Sequence, residues 1–468
     1  MKNNNSASNF HAYSALQVVF SLLAMLFLWG AALILALLGA VELLGPSAGF
    51  EAALPLFLMS ATSFFTGLLL LPCAGYAFWR LMGRRITHQP ALPRFLRPSL
   101  LILAYPLIIL LGFGLSRVPA LAWLLLPPIH ILAVGLPVLW LTYLAVRNRP
   151  GETTSRLGSP QRAWGVFGSS LVLSPVLVLA AEGFTILVMI VLATIVIMGQ
   201  PELMRELSDL RPMISPNGDL SQDALVQALI PYLVRPGVIL SVLGLAALIV
   251  PLIEELLKPI GVWLLLGRKM TPGAGFAAGA LSGAAYALAE SLAFTANGET
   301  WGIAVIVRAG TAVVHILNTA ILGWAIARLF QKPRPPARKG WMTRVGQFLL
   351  AYLGAVLIHG VWNGLTVMAS FTALGALPEA PALPGWLTVP GKAAPFLLVG
   401  MALAGFWALI WANRKLTRPL APAAAGLPAS IEHLPVEAQM TAPGNPAGPD
   451  PAAQPTSGEP DGTAPIPD

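Results

Sequence analysis

Charge is scarce in this 468-residue chain. Only 10% of its residues are Asp, Glu, Lys or Arg and 56% are hydrophobic, whereas soluble proteins carry about 25% charged residues. That excludes a soluble globule with a large core and predicts a polytopic membrane protein. Cysteine is almost absent. The single Cys73 excludes an internal disulfide and any cysteine-rich metal site, and its apolar setting predicts an inert thiol. Acidic residues number 20 against 28 Lys and Arg, for a net charge of +8. The basic excess sits mainly in the short connections between apolar runs, where it orients a chain in a bilayer. It therefore points to lipid and not to nucleic acid. The first apolar run, 15–41, exceeds the roughly 7–15 residues of a signal-peptide core and is expected to be a retained span.

Long apolar runs are what the chain has in abundance. Ten can be marked, at 15–41, 53–79, 99–116, 119–146, 164–199, 237–266, 273–296, 302–330, 344–370 and 394–413. Every even-numbered exit is basic, from Arg80, Arg84 and Arg85 after the second to Arg414, Lys415 and Arg418 after the tenth. The expected fold is therefore an all-α transmembrane bundle of about ten spans with both termini in the cytoplasm. Five regions follow: 1–199, an N-terminal membrane region of five spans; 200–236, an extracytoplasmic loop; 237–370, a catalytic membrane core; 371–416, a last loop and span; and 417–468, a cytoplasmic tail. In the loop, leucines at helical spacing flank Pro216-Asn217-Gly218, which predicts two short amphipathic helices. The tail is rich in Pro, Ala and Gly without aromatic residues, which predicts disorder.

Ionisable residues at membrane depth are costly and mark function by default. They concentrate in four consecutive spans. The sixth carries Glu254, Glu255 and Lys258 between Pro251 and Pro259. Each proline lacks an N–H and clashes with the carbonyl four residues back, so a kink with freed carbonyls is expected there. Glu254 and Lys258 are one turn apart and can pair. The seventh span carries Glu290, beside a stripe of Gly275, Gly279, Gly283 and Ala287 at intervals of four. Such stripes permit close helix approach. The eighth presents Arg308, Thr311, His315, Asn318 and Thr319 on one face, and the ninth has His359 and Asn363 one turn apart. Three carboxylates and two imidazoles can thus converge on one buried pocket. Arg308 reads as a counter-ion. Glu182 in the fifth span and His130 in the fourth lie outside this block and read as structural or peripheral.

The set suits water chemistry. A buried glutamate can act as general base on a water, a histidine can hold that water or steady an oxyanion, and Asn318 and Asn363 can donate to the same charge. Hydrolysis of a peptide bond within the membrane fits these parts. No Ser-His-Asp set, no pair of intramembrane aspartates and no His-Glu-x-x-His motif competes. His315, His359 and a glutamate are also metal-ligand types, and three ligands plus water is a catalytic arrangement. Both options stay open: no cofactor, or a divalent metal such as zinc.

Glu254-Glu255-Leu256-Leu257-Lys258 resembles the Glu-Glu-x-x-Lys motif of PrsW-type intramembrane proteases, relatives of the CAAX-protease and bacteriocin-processing group. Tyr286-x-x-x-Glu290 resembles their Phe-x-x-x-Glu motif, with Tyr for Phe. His315 and His359-x-x-x-Asn363 resemble the two later histidine motifs. The resemblance covers about 237–370. It implies a glutamic-type or metal-dependent peptidase of a bacterial cytoplasmic membrane that cleaves membrane-anchored proteins such as anti-sigma factors. Glu254 and Glu255 would be the water-activating pair, completed by Glu290, His315 and His359, with Lys258, Tyr286, Arg308, Asn318 and Asn363 in support. Two other readings compete. One is a proton- or ion-coupled transporter, since buried Glu, His, Lys and Arg also build relays, although no internal repeat is evident. The other is an inactive scaffold of the same fold.

Overall fold

The computed structural model describes residues 4–45, 49–84, 97–147, 156–202, 204–206, 208, 229–268, 270–294, 298, 300–331, 340–377 and 381–416, and the side chains from 11 onward. The expected tail, 417–468, and most of the expected loop helices, 209–228, lie outside the described residues.

All regular structure among the described residues is helical. The helices are α1 (Asn4–Leu44), α2 (Phe50–Leu68), α3 (Leu71–Leu81), α4 (Pro98–Leu101), α5 (Tyr105–Leu115), α6 (Pro119–Val146), α7 (Pro160–Met198), α8 (Pro236–Gly244), α9 (Val250–Leu257), α10 (Ile260–Trp263), α11 (Pro272–Ala293), α12 (Thr300–Leu329), α13 (Trp341–Leu374) and α14 (Gly385–Leu416). Nine helical stretches among the described residues, some of them made of consecutive helices, are long and apolar enough to cross a membrane. They correspond to nine of the ten expected spans.

The tenth, α11, is missing from that group for a physical reason. Its 22 residues are dominated by Gly, Ala and Ser, which give it little of the hydropathy that lipid contact demands. It does not need any, because α11 is the buried centre of the bundle. Nearly every residue from Ala274 to Leu288 is buried, and it packs against α6, α7 and, most extensively, α12. The outer helices show the reverse pattern. Phe184, Leu187, Val191, Ile195 and Met198 on the far half of α7 are exposed, an apolar surface suited to acyl chains.

The small-residue stripe explains the α11–α12 contact. A Cβ on Gly275 would collide with the Gly323 carbonyl, and one on Gly279 with the Thr319 carbonyl. One on Gly283 would come within 2.6 Å of the His315 carbonyl oxygen. The two backbones therefore touch directly, and α12 reaches into the centre with His315, Asn318 and Thr319 buried.

Candidate active site

The sixth span is not one helix. After α8 the backbone widens into a π-helical segment, Leu245–Ile249, before α9, and α9 ends at Lys258. Pro251 removes the N–H that would meet the Ala247 carbonyl, and α13 comes in at that point. A Cβ on Gly360 would collide with the Ala247 carbonyl, Asn363 Nδ2 donates to the Ala246 carbonyl at 3.1 Å, and Tyr352 OH donates to the Leu252 carbonyl at 2.7 Å. At the other end Pro259 cannot continue the ladder, and Ser174 of α7 donates to the Lys258 carbonyl at 3.1 Å. The expected kink is thus a double break, with α9 suspended between neighbours that bind its freed carbonyls.

Suspended there, α9 directs Glu254, Glu255 and Lys258 inward. Glu255 and Lys258 have no exposed surface, and Glu254 is buried. Lys258 Nζ lies 2.6 Å from Glu254 Oε2, 3.0 Å from Glu255 Oε1 and 2.8 Å from His315 Nδ1. An ammonium has three donors, and these are three acceptors. The Tyr286 ring lies 4.8 Å from the same nitrogen and stands edge-on to His315 at 5.4 Å between centroids.

The two imidazoles are held by these contacts. Because His315 Nδ1 accepts from Lys258, its proton is on Nε2, which donates to Glu290 Oε2 at 2.8 Å. Glu290 also receives Arg308 at 2.9 Å, and Arg308 Nε donates to Ser291 Oγ at 3.1 Å. His359 Nδ1 lies 3.0 Å from Glu255 Oε1. A proton on that nitrogen completes a charge-assisted bond and leaves Nε2 as an acceptor, 3.9 Å from Glu254 Oε2. The rings of His315 and His359 are 5.2 Å apart and nearly perpendicular.

All five residues expected to form the site therefore meet, with Lys258, Tyr286 and Arg308 among them. Asn318 and Asn363 stand differently. Asn318 Nδ2 donates to the Ala355 carbonyl at 3.0 Å, and Asn363 to Ala246, so each gives an amide proton to helix pairing. His130 is separate, accepting from Trp301 Nε1 at 3.3 Å. Glu182, which reads as structural or peripheral in the sequence, stands close to the cluster. It lies on α7 facing Glu254, Glu290 and Lys258, and its Oε1 is buried without a hydrogen-bond partner among protein groups. Its only sequence signal was being a carboxylate within an apolar run.

A cleft of about 350 Å³ leads to the cluster, lined by Phe294, Ile303, Arg308, Trp362 and Asn363 and ending at Glu290. Glu290 is the one carboxylate of the set with sizeable exposure, 33% of its side chain.

Residues 177–388 match the model of the PrsW family intramembrane metalloprotease. The match covers somewhat less than half of the chain and shows what this segment is similar to. The match takes in α8 to α13 and also the second half of α7, so Glu182 falls inside it. It supports a membrane-embedded peptidase, and the apolar helices make the chain a multi-pass integral membrane protein. No curated protein and no solved structure matches the chain.

The PrsW family name implies a metal. Glu254, His315 and His359 offer ligand atoms within 4.8 Å of one another, and by donor type they suit a divalent ion such as zinc. By arrangement they do not. Lys258 Nζ stands between Glu254 and His315, and both nitrogens of His315 are already engaged.

Proposed function

We propose that this chain is an intramembrane endopeptidase that hydrolyses peptide bonds of membrane-anchored proteins, and that its centre is Glu254 facing His359. The observation carrying this reading is the 3.9 Å gap between Glu254 Oε2 and His359 Nε2. It lies inside a bundle of apolar helices, beside Lys258, which pairs with Glu254 Oε2 at 2.6 Å, and His315, both of whose ring nitrogens are engaged. A water about 2.8 Å from each atom spans such a gap. It donates to both and presents its oxygen lone pair to a carbonyl carbon.

Glu254 is the general base. It takes a proton as the water oxygen bonds to the scissile carbon, and the proton passes to the departing amine nitrogen as the C–N bond breaks. The Lys258 ammonium, fixed between Glu254 and Glu255, supplies positive charge beside the developing oxyanion without reorganising. Glu255 orients His359 through Nδ1 and is a positioning residue, which departs from the expectation that Glu254 and Glu255 act as a water-activating pair. Glu290, with His315 and Arg308, forms the wall where the cleft meets the cluster and is the contact point for an entering segment. Asn318, Asn363 and Tyr286 position the helices and rings around it. The substrate is a membrane-anchored protein, with anti-sigma-factor-like chains as the class that the resemblance suggests, and the setting is a bacterial cytoplasmic membrane. Both termini lie on its inner side.

The test compares cells carrying the wild-type chain or Glu254→Gln at matched expression, by terminal-peptide mass spectrometry. New termini inside or beside membrane spans, present with the wild type and absent with Glu254→Gln and with His359→Ala, are the expected outcome. Losing a general base costs on the order of 10²–10⁴-fold in rate. Cleavage retained by both variants would remove the reading. Proton-driven uptake by reconstituted vesicles would replace it with a transporter.

A further inference from the structure

The strongest unassigned feature is the place of Lys258. In a three-ligand hydrolytic site an ion sits about 2.0–2.2 Å from each nitrogen or oxygen donor, so it must lie between the ligands. Here that space holds Nζ, at 2.6 Å from Glu254, 2.8 Å from His315 and 3.4 Å from His359 Nδ1. The lone pair that His315 would offer an ion accepts instead from the ammonium. Its other nitrogen donates to Glu290. A dication and an ammonium sharing this space would repel strongly at low dielectric, and the buried Lys258 stem has no solvent to retreat into.

We infer that Lys258 is the resident cation of this cluster, occupying the position among Glu254, His315 and His359 at which a metal would have to sit. The wild-type chain then folds and holds its carboxylates without a metal, and the three donors become a metal site only when the ammonium is removed. This concerns the same cluster as the proposed peptidase site. Metal uptake is read without any substrate, so the two ideas fail separately.

The geometry also says what removal does. Lys258→Met keeps much of the volume, frees the Nδ1 lone pair of His315 and leaves Glu254 and Glu255 without their shared counter-ion. A divalent ion then gains three donors of the right type and meets no ammonium.

The experiment uses the full chain in detergent micelles, stripped with a chelator and re-equilibrated with zinc or cobalt(II). Bound metal is measured by elemental mass spectrometry, and the visible absorption of cobalt is recorded. The wild type is expected to retain no stoichiometric metal and to show no tetrahedral cobalt bands. Lys258→Met is expected to take up about one ion per chain with those bands, and Lys258→Met combined with His315→Ala to lose it. Lys258→Gln serves as a second variant should Lys258→Met fail to give monodisperse protein. A wild-type chain that binds one ion per chain, lost in His315→Ala, overturns the inference. So does a folded Lys258→Met or Lys258→Gln protein that binds none.

Discussion

Glu255 has no contact with solvent, yet two groups depend on it. Lys258 Nζ donates to Oε1 at 3.0 Å, and His359 Nδ1 lies 3.0 Å from the same oxygen. Losing Glu255 leaves Lys258 with Glu254 at 2.6 Å but takes the carboxylate from His359 Nδ1, and breaking a buried pair costs up to about 3–5 kcal/mol. Glu255→Gln is therefore expected to lower the unfolding midpoint in detergent sharply. Glu255→Gln with Lys258→Met should not recover that loss, since Glu254 then lies buried without its counter-ion. A single variant as stable as the wild type would show that Glu255 is not the anchor. The residue types were legible beforehand because charge within an apolar run is conspicuous. The partition of roles was not. Adjacent glutamates look equivalent in a sequence, whereas in the structure both meet Lys258 and Glu255 alone comes within 3.0 Å of a His359 nitrogen. The nearness of Glu182 to the cluster was not legible for a related reason. A lone carboxylate one helix away has no spacing relation to the others, and its approach depends on how α7 leans on α9 and α11.

At the scale of elements, the site is set by close backbone contact. Glu290 lies on α11 and His315 on α12, and their 2.8 Å bond holds only while the stripe of Gly275, Gly279 and Gly283 lets the two helices touch. Gly279→Leu is expected to force α12 away from α11. The cost is about 1–3 kcal/mol for the overpacked interface, with cleavage lost while the protein remains in the membrane. Gly346→Ala is the matched control. It lies on α13, where an added methyl meets nothing within 4 Å, and it should leave both activity and midpoint unchanged. Thermal unfolding with a cleavage readout checks both. Equal losses from the two would point to a general intolerance of glycine substitution. The stripe itself was readable from its spacing of four, as were Pro251 and Pro259 as breakers. The π-helical segment was not, because nothing in Leu245–Ile249 differs in type from an ordinary apolar helix. What selects it is the set of contacts with Gly360 and Asn363 of α13.

At the scale of the whole molecule, nine of ten expected spans reappear within a few residues at most ends, because length and apolarity suffice to define a lipid-facing helix. The exception is α11, a helix screened by its neighbours and so without need of hydropathy. Orientation depends on counting it. With α11 crossing, the described helices make ten passes and both ends fall on one side. With α11 as a re-entrant or partial element they make nine and the ends are opposed. The basic residues that cap alternate connections, such as Arg80 and Arg84, Arg147, Arg268, and Arg414 with Lys415, favour ten, since basic residues concentrate on the cytoplasmic side. Reporter fusions that are active on only one side of the membrane, joined after Leu44, Arg268, Phe294 and Leu416, give the decisive measurement. Fusions after Arg268 and Leu416 are expected to report the cytoplasm, and those after Leu44 and Phe294 the outside. A cytoplasmic signal from the Phe294 fusion would mean that α11 does not cross. Glu290 and the cleft would then open toward the inner face, and substrates would have to enter from there.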